Sequence, residues 1–394
     1  MSSKTPFNFW FLTAIFTLHT LTAQVASIPF EIKNDIILIK LQLNDDNELR
    51  TFIFDTGATA DVLDQTMAER MGLESNYQQE VPGAGGSQVY DIILGQQMTF
   101  ANSIQLQNIN FVLVDLHRLR DKLERDFEGI VGYSLIQEFV VVIDYESQEL
   151  QLFERIEQVN TDGYQSLQFT FDNGIPIPQF EVGITLDNEK WYNGKIFFDS
   201  GAALSLSVNT PFNEKHQLDD QVGKQLISES ENLGSKSIST DVAIKGMKFG
   251  PFELGEMVIS IANDTEGVSS YPGYLGILGG EVISRFDVIL DYSEMTLYLK
   301  PNERFSRPFE FPLSGISLKQ QNDKILVYRV QSESPAYKKG LRAGDHIVSI
   351  NSDYSGNLET YRELLKQEGE TCTLKFSDNN GQIKEIEIKL ERLL

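Results

Sequence analysis

Apolar residues along this chain fall mostly in short, β-branched or alternating runs, a spacing that predicts strands over most of its length. Ile36–Leu43 (IILIKLQL) and residues 180–186 (FEVGITL) are two such runs, with the composition that suits a pleated, half-buried surface. Between the runs stand Asp45-Asp46-Asn47, Asp187-Asn188, Asp144-Tyr145-Glu146-Ser147 and Asp291-Tyr292-Ser293-Glu294. These polar clusters read as hairpin turns. Calcium ligation is the alternative for such acidic clusters, and no spaced series of oxygen ligands follows to support it. One stretch differs: residues 114–127 carry Leu116, Leu119 and Leu123 on one face of a helix.

The pattern also repeats. Residues 52–73 (FIFDTGATADVLDQTMAERMGL) resemble residues 196–218 (IFFDSGAALSLSVNTPFNEKHQL), each an apolar strand, then Asp-Thr/Ser-Gly-Ala, then a polar helix-like segment. Residues 130–153 match 277–299 in the same way. The two Asp positions lie 144 residues apart (55 to 199) and the two Gly positions 147 apart (132 to 279). Two copies of one β-rich unit explain both matches, since a chance match at one site would not preserve the spacing at the other.

After Lys300 the register changes. Residues 301–312 (PNERFSRPFEFP) are proline-punctuated and unrepeated, a linker by composition. A smaller α+β unit follows, with strands expected at Lys324–Val330 and 347–350, a helix at 359–367, and a closing hairpin at 372–376 and 383–390.

Bulk properties narrow the partners. The chain has 394 residues, enough for two or three cores, and a formal net charge of −24 that repels phosphate backbones and anionic lipid heads. Lys4 followed by the apolar run 7–21 and by Ala23 and Ala26 reads as an export signal, with a retained anchor as the alternative. The expected mature protein is exported, in a periplasm, a cell envelope or the medium, with no membrane contact after signal removal. Cys372 is the only cysteine, so stability must come from cores rather than disulfides, which fits a bacterial envelope protein. Nothing in the sequence sets the oligomeric state.

The doubled Asp-Thr/Ser-Gly motif, with Ile130-Val131-Gly132 and Ile277-Leu278-Gly279 as its second element, resembles the pepsin-like and retropepsin-like aspartic proteases over roughly residues 28–300. That resemblance implies two β lobes related by a pseudo-two-fold axis, with Asp55 and Asp199 as the catalytic pair. Two carboxylates held a hydrogen bond apart share one proton, and so act as base toward water and acid toward the substrate amide. Gly57 and Gly201 allow the tight turns beside the acids, and the hydroxyls of Thr56 and Ser200 are implied to bond across the lobe interface. No metal or other cofactor is required. Ala58 and Ala202 stand where pepsin-like enzymes carry a hydroxyl residue, as in retropepsin-like sequences. A carboxylate that lacks this donor favours its protonated form, so a weakly acidic to near-neutral optimum is expected.

Gly83, Gly85 and Gly86 lie where this family carries its substrate flap; an ordinary surface turn is the alternative. Residues 310–394 resemble a bacterial PDZ domain, on Ser334-Pro335-Ala336, on 340–347 (GLRAGDHI) and on Ser349-Ile350-Asn351. The resemblance implies a peptide-binding loop at Leu313, Ser314, Gly315 and Ile316, ahead of a strand edge at 317–319 able to take an added strand. A scaffold domain packed on the protease is the alternative. His117, His216 and His346 lack zinc-site spacing, and Cys372 inside an apolar strand reads as core.

The expected architecture is therefore mostly β. It comprises a signal segment (1–26), an N-terminal lobe (27–156), a C-terminal lobe (157–300), a linker (301–309) and a PDZ-like domain (310–394). The expected activity is endoproteolysis of polypeptide, with peptide as the PDZ ligand. The competing expectation is an inactive peptide-binding or sensor protein of the envelope.

Overall fold

The computed structural model describes residues 24–394 except 76, 84, 85, 102, 188, 233 and 234. The expected signal segment up to Ala23, and Gly85, lie outside the described residues; Ala26 opens the first strand. The first half contains β1 (Ala26–Lys33), β2 (Ile36–Leu43), β3 (Arg50–Phe54), β4 (Asp61–Asp64) and α1 (Gln65–Arg70). It continues through β5 (Tyr77–Gly83), β6 (Gly86–Phe100), β7 (Ile104–Val114) and α2 (His117–Leu123). It closes with β8 (Gly129–Val131), α3 (Tyr133–Ile136), β9 (Val140–Asp144) and β10 (Glu149–Phe153).

The second half runs through β11 (Gln165–Gln168), β12 (Gln179–Thr185), β13 (Trp191–Phe198), β14 (Leu206–Val208) and α4 (Thr210–His216). Next come β15 (Leu226–Asn232), β16 (Ser235–Ile244), β17 (Gly246–Phe249), β18 (Phe252–Leu254) and β19 (Met257–Ala262). It ends in β20 (Tyr274–Leu278), α5 (Gly280–Ile283), β21 (Phe286–Asp291) and β22 (Thr296–Pro301). The turns expected at the acidic clusters sit between β2 and β3, β9 and β10, and β21 and β22; of the Asp187-Asn188 cluster, Asp187 follows β12 and Asn188 lies outside the described residues. The tight β1–β2 turn is made by Asn34 and Asp35, both with positive φ, a conformation that Asn and Asp tolerate.

The halves share one pairing plan. In each, a strand leading to the Asp motif pairs in parallel with the strand leading to the second Gly: β3 with β8, and β13 with β20. In each, the following strand pairs antiparallel with that same partner: β4 with β8, and β14 with β20. The halves also meet in one sheet, because β9 pairs antiparallel with β21 and so joins β1, β10 and β9 to β21, β22 and β11. One large apolar core runs through both halves, from Ile28 and Phe54 to Phe198 and Leu299.

Residues 302–309, a linker by composition, are packed rather than free. The Phe305 ring meets Phe286 and Phe252, and Arg285 stacks 3.5 Å above Phe309 while donating to the Arg304 and Arg307 carbonyls.

The C-terminal unit is a five-stranded antiparallel sheet in the order β23 (Ile316–Gln321), β24 (Lys324–Val330), β25 (His346–Ile350), β26 (Thr371–Ser377), β27 (Ile383–Lys389). The helices α6 (Pro335–Lys338) and α7 (Leu358–Leu364) accompany it. Its own core holds Val327, Leu341, Tyr361, Leu374 and Phe376. Cys372 is buried there, and burial pushes its thiol up to about 11, an inert core position.

Candidate active site

The motif loops begin where paired strands end. The backbone N–H of Asp55 donates to Val131 O (2.9 Å) and that of Asp199 to Leu278 O (3.0 Å), so each acid is tied to the segment carrying the second Gly of its own half. That segment must pass close: a Cβ on Gly132 would lie 2.2 Å from Asp55 O, and one on Gly279 2.2 Å from Leu204 O. Only glycine fits.

The loops then interlock. Ser200 N donates to Thr56 Oγ1 (2.9 Å) and Thr56 N to Ser200 Oγ (3.0 Å). The hydroxyls in turn donate to carbonyls of the opposite half, Thr56 to Phe198 O (2.8 Å) and Ser200 to Phe54 O (3.3 Å). All four groups are buried away from water, where unpaired donors would be costly.

The Asp55 and Asp199 carboxyls hydrogen-bond each other at the floor of a cleft between the halves. Gly57 N donates to Asp55 Oδ1 (2.7 Å) and Gly201 N to Asp199 Oδ1 (2.9 Å). Each glycine also faces the opposite acid, for a Cβ on Gly57 would sit 2.4 Å from Asp199 Cγ and one on Gly201 2.2 Å from Asp55 Cγ. Burial raises the pKa of both acids; the neighbouring Asp55 charge adds to the rise at Asp199, which lies well above the ordinary carboxylate range. Such a pair holds one proton over an extended pH range.

The cleft has a volume of about 580 Å³. Ile53, Val62, Val112, Ile130 and the α2 residues Leu119 and Leu123 line its first-half wall. The helix expected at 114–127 thus forms, shorter, with Leu116 and Leu123 buried. Gly83 and Gly86 pair across the β5–β6 hairpin, and Val81 and Tyr90 of that hairpin line the cleft. No metal-binding group of His, Cys, Asp and Glu occurs among the described residues.

The expected peptide loop of the third unit precedes its first strand. Leu313 and Ser314 are buried, Gly315 has φ +67°, and Ile316 opens β23 with its N–H on Ser314 Oγ (3.2 Å). β23 is an edge strand, but Arg362 of α7 donates to its Leu318 carbonyl (3.0 Å). The same guanidinium grips Glu124, just after α2, with NH1–Oε2 at 2.8 Å and NH2–Oε1 at 2.5 Å. On the other side Arg329 and Gln331 donate to the Ile227 carbonyl of β15. The third unit therefore bridges both halves beside the cleft. The contacts between units had no signal in the sequence, because each joins residues more than a hundred positions apart.

Residues 39–135 match the family model described as aspartyl protease, and residues 326–377 match the one described as PDZ domain. The chain thus carries an aspartyl protease domain followed by a C-terminal PDZ domain. The first match spans Asp55 through Gly132 and stops short of Asp199. No curated protein matches the chain.

Proposed function

We propose that this protein is an aspartic endopeptidase in which Asp55 and Asp199 form the catalytic dyad, one from each of two duplicated lobes. The observation carrying this reading is the reciprocal crossing of the two loops, with each carboxyl bonded to the other and packed against the other loop's glycine. In this mechanism the ionised member takes a proton from a water held between the acids. The protonated member gives its proton toward the scissile carbonyl. The resulting tetrahedral intermediate collapses as the leaving amine is protonated by the dyad, so no covalent enzyme intermediate forms. The β5–β6 hairpin is the candidate flap over the substrate.

The PDZ domain is proposed to bind peptide at β23 by strand addition, once Arg362 gives up the Leu318 carbonyl. Export across a membrane remains part of the proposal and rests on the N-terminal apolar run.

The test is hydrolysis of a denatured protein by residues 27–394, alongside Asp55→Asn and Asp199→Asn. Cleavage by the wild type alone, blocked by a statine-type inhibitor, supports the reading. Equal cleavage by all three proteins, or none by any, overturns it.

A further inference from the structure

The two cleft walls occupy the same positions in the shared pairing plan and differ in chemistry. In the first half Val62 of β4 pairs with Ile130 and Val112, and Val112 pairs with Ile92 of β6. In the second half Ser207 of β14 pairs with Ile277 and Ser260, and Ser260 pairs with Asp241 of β16. Directly paired residues share a sheet face. Where one half places Val62 and Val112 in the cleft wall with Ile92 next on the same face, the other places Ser207, Ser260 and Asp241 in it.

The rest of the second wall continues this theme. Ser239 pairs with Ser228 across the β15–β16 hairpin, and both line the cleft. Asp241 accepts hydrogen bonds from Ser228 Oγ and from Ser260 Oγ (2.7 Å), which fixes its carboxylate in the wall. Asp264 lines the same side. No Lys or Arg among the described residues forms an ion pair with either acid. The lining's cation, Lys122, belongs to α2 on the opposite side.

Two further hydroxyls on this wall are available to a ligand. Ser239 and Ser269 line the cavity with only 8% and 5% of their surfaces exposed. Neither side chain has a hydrogen-bond partner among the described residues. Their hydroxyls are not sealed from solvent; they open onto the cleft, where a ligand's donor can reach them. Small side chains also leave room here, where the first wall is filled by Val and Ile.

We infer that the second-half wall is a specificity subsite for a cationic substrate side chain, lysine or arginine, with Asp241 as its counter-charge and the Ser239 and Ser269 hydroxyls as acceptors. The first-half wall takes an apolar side chain. A good substrate then carries a basic residue on one side of the scissile bond and an apolar one on the other. A charge-assisted hydrogen bond to this carboxylate discriminates, because a neutral side chain displaces water from it and brings no counter-charge to join the Ser228 and Ser260 hydroxyls. This rests on the endopeptidase reading, but its binding component can be tested separately.

The experiment compares peptides that differ only at one position on each side of the scissile bond, bearing Lys, Arg, Gln or norleucine. Wild type is expected to favour the Lys or Arg peptide by roughly ten- to hundredfold in kcat/KM over norleucine at that position. Asp241→Asn is expected to bring the ratio close to one, with an unchanged melting temperature showing that the variant folds. The wild-type preference should also shrink in high salt. An unchanged preference in Asp241→Asn, or a wild type indifferent to the basic residue, overturns the subsite. If no peptide is cleaved, the endopeptidase reading fails. Fluorescence anisotropy of labelled peptides then decides the subsite alone: tighter binding of the basic peptide, lost in Asp241→Asn, sustains it, and equal binding overturns it.

Discussion

Thr56 and Ser200 hold each other by a closed pair of bonds, each hydroxyl accepting the other's backbone N–H across the junction of the halves. Replacing Thr56 with Val keeps the shape and removes the acceptor, leaving the Ser200 N–H buried and unpaired. The expected cost is about 1–3 kcal/mol of stability. Ser200→Ala should cost a similar amount, and the double variant less than the sum, because both changes break the same ring. Denaturant unfolding of the four proteins measures this.

Gly57→Ala and Gly201→Ala probe the crossing itself. The added Cβ would fall within 2.4 Å of the opposite carboxyl carbon, so the dyad must spread. Hydrolysis is expected to drop by about a hundredfold or more in either variant, since catalysis depends on sub-ångström placement. Initial rates on one peptide give the answer, and near-wild-type rates would refute the reading.

The pH profile follows from the raised pKa values of Asp55 and Asp199. Under the proposed mechanism activity needs one proton on the pair, so it falls on the alkaline side as that proton is lost. Because burial raises that step, the optimum should be weakly acidic to near neutral. Ala58→Ser and Ala202→Ser each place a hydroxyl donor beside an acid and should move the profile to lower pH. A wild-type optimum below about pH 3 would rule out this account, since both steps would then lie at or below an ordinary Asp.

Asp61 supplies a stability prediction. It is buried, accepts the Gly132 N–H at 3.2 Å, and is pushed by burial up to about 6. Its folded pKa exceeds the unfolded one, so the folded state binds more protons between the two values. Stability is therefore greatest at the acidic end and declines as pH rises through about 6, by on the order of 3 kcal/mol from this residue. Glu281, pushed up to about 7, acts in the same direction. Asp61→Asn should flatten the decline between about pH 4 and 7, as read by denaturant unfolding at each pH.

Arg362 links the PDZ domain to the cleft and also occupies the edge carbonyl of β23. Arg362→Ala should free that edge and speed hydrogen exchange in α2. Peptides that add to β23 should bind it several-fold more tightly than wild type, a gain of roughly 1 kcal/mol for removing one competing bond. Calorimetry and exchange mass spectrometry read the two effects, and weaker binding would show that Arg362 contacts the peptide instead.

The sequence revealed features that depend on local pattern or on repetition. The motif loops, the α2 leucines and the strand Lys324–Val330 all have short-range signatures, and the repeat distinguished Asp55 and Asp199 from accidental tripeptides. What stayed hidden depends on register or docking. Ser207, Ser260 and Asp241 lie on three strands, and only their pairing shows that they share a face. Proline and charge made 301–309 look like a tether, yet Phe309 is buried and Phe305 packs half-buried against the core. Arg362 and Glu124 are ordinary surface charges until the units are placed side by side.

The seam between β9 and β21 bears on how the protein is made. During synthesis Val140–Asp144 emerges with a bare edge, and its neighbour Phe286–Asp291 follows roughly 7–30 s later at ordinary translation rates. Until then the nascent first half exposes an open strand edge, the kind of surface that invites wrong partners and holdase chaperones. It also lacks the second acid, so under the proposed mechanism a half-made chain has no hydrolytic power. On that mechanism the ribosome would release this chain either assembled or not armed at all.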